Sequence, residues 1–304
     1  MIYSEIAKSI GVPPDVVRNI ANGASHRYKI YTIPKRTQGR RTIAHPAKEL
    51  KVLQRWLVDV VFPTLTIHDC ALGYREGVGI RDVVLRHAQS RFHLRLDYES
   101  FFESISALDI KKLLVKHWNA LPIYLPKADV ERIVKIVVRH GQLTIGAPSS
   151  PVLSNAVLYE IDRRIADECK KRNCVYSRYA DDLFFSTNEP NVLEKVERRV
   201  SRILEDSASP KLKLNTKKIF HSSRKNRVRF LGLIVTPTGE VSVGRSKKKM
   251  IRALIHRYQT GDILPDDAIY LSGYLAFIKA VEPNLLKSLE RKYSPELIHR
   301  IKST

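Results

Sequence analysis

The sequence predicts an α+β fold. Short strand-like runs and amphipathic helical stretches mix irregularly, without the strict strand–helix alternation of a doubly wound sheet. Beyond Gly244 the pattern turns helical to the end. With 304 residues, 43% hydrophobic and 28% charged, the chain has globular composition and enough length for a sizeable core. The change near Gly244 divides it into residues 1–244 and a helical segment, 245–304.

Ile6, Ile10, Val16, Val17 and Ile20 mark two short helices broken at Gly11-Val12-Pro13-Pro14. Such pairs serve packing or RNA contact more often than sequence-specific duplex readout. Tyr28 to Ile33 alternates like a strand. Glu49 to Val61 reads as a helix, with Leu50, Leu53, Trp56, Leu57 and Val60 on one face. Phe92, Leu94 and Leu96 alternate as a strand. Ile110, Leu113, Leu114 and Trp118 belong to a helix, as do Val134, Ile136 and Val137. Pro148 and Pro151 bracket a loop before a helical stretch, Val152 to Cys169. Val175 to Tyr179 and Leu183 to Ser186 are short strands around Ala180-Asp181-Asp182. Val228 to Val235 and Val241 to Val243 read as a hairpin around Pro237-Thr238-Gly239.

The formal net charge is +22. Between Lys211 and Arg252 stand thirteen basic residues and one acid, Glu240. A solvated surface usually mixes signs, so this segregation favours a phosphate-contact surface over a solubilising face or an anionic protein partner. A second cluster, Lys35-Arg36 and Arg40-Arg41, flanks the turn signal Gln38-Gly39. No apolar run approaches the ~20 residues of a membrane span, and Met1 to Glu5 lacks a secretory pattern. Cys70, Cys169 and Cys174 are odd in number and scattered, which fits a reducing, cytoplasmic setting. Cys169-x4-Cys174 lacks a paired His, so ordinary thiols are a better reading than zinc.

The sharpest feature is Tyr179-Ala180-Asp181-Asp182 between apolar strands. Asp is a good turn residue, and Tyr-x-Asp-Asp arises by chance in roughly one chain of this length in fifty. Asp97, closing the strand Phe92–Leu96, changes the odds. A carboxylate at a strand end, beside a turn carrying two more, can hold two divalent cations about 4 Å apart for phosphoryl transfer. Mg²⁺ suits an all-oxygen site that also binds substrate phosphates.

Leu96-Asp97-Tyr98-Glu99-Ser100-Phe101-Phe102, Gly146-Ala147-Pro148-Ser149-Ser150-Pro151 and Tyr179-Ala180-Asp181-Asp182 resemble, in order and spacing, the sequence blocks of reverse transcriptases. Leu214-Asn215-Thr216-Lys217-Lys218 and Phe230-Leu231-Gly232 resemble the two later blocks, and Lys35 through Ile43 with Pro46 the finger region. The resemblance covers roughly residues 26 to 245, and bacterial retron enzymes are the most similar group. Tyr293-Ser294-Pro295-Glu296-Leu297 supports that, whereas Phe230-Leu231-Gly232 is more similar to group II intron and other bacterial reverse transcriptases. Of the retron Asn-Ala-x-x-His segment only His87 remains, and Ile145 stands where many relatives carry Gln.

The resemblance implies a right-hand polymerase fold: N-terminal helices, fingers and palm in residues 1–244, and a short helical thumb in 245–304. It implies an RNA-directed DNA polymerase with two Mg²⁺ held by Asp97, Asp181, Asp182 and the Tyr98 carbonyl. Phe102 would exclude a 2′-hydroxyl, or else is a core ring. Arg41 and Lys35 would clamp the triphosphate, and Gly146-Ala147 would let the backbone approach the nucleotide. Lys218 would protonate pyrophosphate or contact backbone. Phe230-Leu231-Gly232 would grip the primer, and Arg245, Lys247, Lys248, Lys249 and Arg252 would track the hybrid. His87 is either an RNA contact or packing. The implied partners are dNTPs, a structured noncoding RNA that becomes a branched RNA–DNA (msDNA) in anti-phage defence, a separate effector protein and a host ribonuclease H. Two rivals are another bacterial reverse transcriptase lineage and a non-catalytic RNA-binding scaffold. A nucleotide cyclase would leave the basic stretch unexplained.

Overall fold

The computed structural model describes residues 1–34 and 39–303. In chain order its elements are α1 (Ile2–Ile10), α2 (Pro14–Asn22), β1 (Tyr28–Pro34), β2 (Arg40–Pro46), α3 (Lys48–Trp56), α4 (Ile80–Ala88), β3 (Phe92–Asp97), α5 (Ala107–His117) and α6 (Asp129–Val137). There follow α7 (Ser150–Val157), α8 (Tyr159–Lys170), β4 (Val175–Tyr179), β5 (Asp182–Thr187), α9 (Leu193–Glu205), β6 (Phe220–Ser223), β7 (Val228–Phe230), β8 (Leu233–Val235) and β9 (Val241–Ser242). Four helices close the chain: α10 (Arg245–Gln259), α11 (Pro265–Val281), α12 (Pro283–Tyr293) and α13 (Pro295–Lys302). The expected α+β class is what is seen.

Local chemistry explains most boundaries. Gly11 ends α1 at φ 71°, and Pro14 opens α2 with its ring angle already helical. Ser106 and Asp109 cap α5 reciprocally, through Ser106 N–H to Asp109 at 2.7 Å and Asp109 N–H to Ser106 Oγ at 3.3 Å. Past Trp56 the expected helix 49–61 widens, so that Phe62 N–H donates to Leu57 C=O, five residues back. The helix expected from Val152 to Cys169 is interrupted at Leu158, with no breaker residue to mark it.

Three sheets form. β1 and β2 pair antiparallel, with Ile33 opposite Arg41. The alternation in β1 does not report a buried face, because Lys29 to Pro34 are all exposed. The second sheet has the order β4-β5-β3-β6 and the third β7-β8-β9. The run Val228–Val235, expected as one strand, is two strands, because Leu231 (φ 47°) and Gly232 (φ 85°) turn the chain. Positive φ at both central residues is what a type I′ two-residue hairpin requires.

The chain divides into two compact units. One comprises Met1–Tyr74, Arg95–Leu183 and Glu194–Ile219; the other Arg75–Leu94, Phe184–Leu193 and Phe220–Thr304. Leu96, Ile105, Leu114, Ile133, Leu153, Ile165 and Leu183 are fully buried in the first, and Val83, Val84, Phe185, Ile255, Leu271 and Ile278 in the second. Among the described residues no helix is long and apolar enough to cross a membrane. Cys70, Cys169 and Cys174 are buried and not joined in disulfides.

Candidate active site

Main-chain bonds bring the segments that carry Asp97, Asp181 and Asp182 to one corner of the first unit. Tyr98 N–H donates to Asp181 C=O at 3.0 Å, tying the end of β3 to the turn between β4 and β5. Asn215 N–H donates to Asp97 C=O at 2.8 Å, and Glu99 N–H to Lys213 C=O at 2.8 Å. The second pair of bonds brings the Leu214–Lys218 segment alongside. Lys218 then reaches Asp97, its Nζ 2.7 and 2.9 Å from the two carboxylate oxygens.

Two of these carboxylates are held above their ordinary pKa. Burial, and then the Asp97 charge, raise the pKa of Asp181; Lys218 and Arg41 oppose them. Asp182 is pushed up to about 6 by burial and by Asp181, against the pull of Arg95, whose Nε lies 3.6 Å away. Among the described residues no three His, Cys, Asp or Glu side chains stand together as a ready metal cage. The Asp97 carboxylate instead lies on the Lys218 ammonium.

A buried polar frame underlies the turn. Arg178 is fully buried, and its guanidinium forks onto fully buried Asp162 through Nε at 2.9 Å and Nη2 at 2.6 Å. Its Nη1 donates to Asn155 Oδ1 at 3.0 Å and to the Ala180 carbonyl at 3.2 Å. Burial alone would lower the Arg178 pKa, but Asp162 outweighs it and holds the guanidinium charged. Asn155 also donates to Gly73 C=O at 2.8 Å. A Cβ on Gly73 would stand 2.7 Å from Ala180 N, so only glycine lets this segment lie against the turn. Ala180 itself sits at φ 56°.

The Tyr98 ring is buried and stacks on Phe101 at 5.7 Å. Phe102 is half-buried, its ring 6.5 Å from Tyr74, and burial and Asp181 raise the Tyr74 hydroxyl to about 12. Gly146, at φ 114°, lies so close to β2 that a Cβ would be 2.8 Å from the Ala44 carbonyl; Ala44 N–H donates to Ile145 C=O at 2.9 Å. Ala147 is buried and Arg41 exposed. Lys35 lies outside the described residues.

In the second unit, Phe230 is a core ring, stacked on His87 at 5.7 Å and edge-on to Phe184 and His93. Only Leu231 and Gly232 of that block reach the surface. His87 is fully buried and bonded to Ser186 Oγ at 2.8 Å, so of its two readings packing holds. Arg245, Lys247, Lys249 and Arg252 are exposed on α10, whereas Lys248 pairs with Glu282. Sequence reasoning missed Arg178, Asp162, Asn155, Gly73 and Arg95. One signal existed: a charged residue, Arg178, inside an otherwise strand-like run.

Residues 33–235 match the family model described as reverse transcriptase (RNA-dependent DNA polymerase). The chain belongs to the reverse transcriptase family. The retron Ec83 reverse transcriptase of Escherichia coli is 34% identical over 292 residues, spanning 92% of this chain and 90% of that protein. The retron Ec73 enzyme of the same organism is 29% identical over 279 residues, 88% of each chain. The retron Ec86 enzyme is 28% identical over 308 residues, 98% of this chain and 92% of the other. This reverse transcriptase is therefore of the bacterial retron type, an RNA-directed DNA polymerase that takes an RNA template. Its fold is the right-hand polymerase fold. The structure of telomerase from Candida albicans with a fragment of telomeric RNA superposes with TM-score 0.53 at 14% identity, over 89% of this chain and 58% of that one.

Proposed function

We propose that this reverse transcriptase copies a structured noncoding RNA into a branched RNA–DNA, the msDNA of a retron, in the bacterial cytoplasm. The observation that carries the proposal is the joint presence of retron relatives spanning nearly the whole chain and of Asp97, Asp181 and Asp182 around one corner. The donor set fits a hard divalent cation. It is all oxygen, and burial together with neighbouring carboxylate charge raises the proton affinity of Asp181 and Asp182. Asp97, Asp181, Asp182 and the Tyr98 carbonyl would hold two Mg²⁺. When bound, Mg²⁺ supplies Lewis-acid stabilisation of the attacking and leaving oxygens.

The protein's own groups do the rest. Arg41, with Lys35, clamps the triphosphate of a dNTP through charge-assisted hydrogen bonds. Gly146-Ala147 presents bare backbone to the nucleotide. Phe102 packs against the sugar where a 2′-hydroxyl would sit. Lys218, released from Asp97, donates a proton to the leaving pyrophosphate. Leu231-Gly232, supported by Phe230, grips the primer end, and the 245–304 thumb follows the hybrid with Arg245, Lys247, Lys248, Lys249 and Arg252. The product would act in anti-phage defence with a separate effector protein, after a host ribonuclease H trims the template.

Asp181→Asn should abolish Mg²⁺-dependent primer extension and leave RNA binding within about twofold; full extension would refute the role of the carboxylates. Phe102→Ala should raise rNTP use relative to dNTP. Sequencing nucleic acid that copurifies with the enzyme tests the product. A 2′–5′ branch supports the retron reading, and linear cDNA alone favours another bacterial lineage.

A further inference from the structure

The basic surface on α8 and α9 is not needed by the chemistry above. α9 sorts its side chains into three arcs. Val196, Val200, Ile203 and Leu204 are buried, Glu194 and Glu205 are exposed beside them, and Lys195, Arg198, Arg199 and Arg202 occupy a face of their own. Those four recur at i, i+3, i+4 and i+7, the period of one helix stripe, and span about 10 Å along the axis. Across from them, Lys171 and Arg172 follow the end of α8. The six cations line an open groove of about 480 Å³ together with one carboxylate, Glu168.

Glu168 organises this groove rather than neutralising it. Its carboxylate takes Arg172 at 2.7 Å, Lys171 at 3.0 Å and Arg199 at 3.3 Å, so one negative charge fixes three positive ones drawn from both elements. Lys195 and Arg202 have no ion-pair partner among the described residues, and Arg198 donates only to the Glu194 carbonyl, at 3.3 Å. Long cations left unpaired side by side repel one another, and a polyanion lying in the groove relieves that repulsion.

The lining also identifies the polyanion. It holds no aromatic side chain, so there is no platform on which unpaired bases would stack. Nor has it the apolar and aromatic centre of a protein interface, or the apolar residues that anchor a helix in lipid. Cations alone suit a helical nucleic-acid stem read through its phosphates. We propose that the α8–α9 groove docks a double-stranded stem of the RNA partner, separately from the template in the active site. The choice of RNA rests on the reverse transcriptase assignment; the groove itself does not.

The test uses the full chain and a fluorescein-labelled 20-base-pair RNA hairpin, with unlabelled primer–template added in excess to fill the active site. Arg198→Glu/Arg202→Glu should weaken hairpin binding by about tenfold or more at 100 mM salt, and lower the slope of log K against log salt by about 2. The milder Lys195→Gln/Arg202→Gln should shift both in the same direction by less. Extension of a short DNA primer on an RNA oligonucleotide should stay within about twofold of the unaltered enzyme. That assay separates the two readings, since its failure in the unaltered enzyme would count against polymerase function and not against the groove. Unchanged hairpin affinity and slope would overturn the proposal. So would an equal loss for single-stranded RNA of the same length, or a loss confined to poly-glutamate, which would point to an acidic protein segment.

Discussion

Two short turns use the same device with different support. Between β4 and β5 the chain reverses at Ala180-Asp181, with Ala180 at φ 56°; between β7 and β8 it reverses at Leu231-Gly232, with φ 47° and 85°. The first rests on a buried ion pair, Arg178 on Asp162, and on the bare backbone of Gly73. The second rests on rings: Phe230, Phe184, His87 and His93. A turn that must carry adjacent carboxylates needs a directed hydrogen bond to fix its carbonyl. A turn that carries none can be held by volume alone. The first should fail at single polar substitutions, and the second should yield gradually to changes of size.

The largest effect is expected at Arg178. Arg178→Met leaves the Asp162 charge buried without a cation, with only the Tyr176 hydroxyl still donating to it, which should cost about 3–5 kcal/mol in denaturant melts and abolish primer extension. Pairing it with Asp162→Leu should restore most of the stability but not the activity, because the Ala180 carbonyl still lacks its donor. An active double variant would erase the contrast between the turns.

Phe230→Ala should cost about 3 kcal/mol, whereas Phe230→Leu should stay within about 1.5 kcal/mol, since a packed ring tolerates a similar volume. A third experiment varies pH. Burial lowers His87 to about 3 and His93 to about 4. The unfolded chain, titrating near 6.5, then binds more protons than the folded one, so stability falls as pH drops below about 6.5 and keeps falling toward 4. Relative to a His87→Leu/His93→Leu variant, the protein should lose about 2.7 kcal/mol between pH 7.5 and 5.5, read from urea midpoints. Equal slopes would show that these rings titrate normally. The smallest effects concern the turn residues. Ala180→Gly should shift stability by less than about 1 kcal/mol, and Gly232→Ala should cost about 1 kcal/mol.

The same contrast explains what could be read from the chain. The approach of Asp97 to Asp181 and Asp182 was legible because each lies in a recognisable block at a strand end. So were α1 and α2, whose Gly11 and Pro14 are explicit punctuation. The β7–β8 turn was not, since Leu231 continues an apolar run and nothing local announces positive φ before Gly232. The exposure of both faces of β1 was equally hidden, because alternation gives a period but not what covers either side. The Arg178 frame depends on Asp162, Asn155 and Gly73, up to 105 residues away in sequence, and no short spacing encodes it. Neither α4 nor the sign-sorted faces of α9 emerged from scanning for core stripes.

The Lys218–Asp97 contact has a practical consequence. The protein supplies its own counter-ion to the most enclosed of the three acids, while the Arg178 clasp keeps the neighbouring loop in shape from below. Enzyme drained by a chelator should therefore keep its melting temperature and its spectrum while falling silent, and should revive on refilling without having to refold.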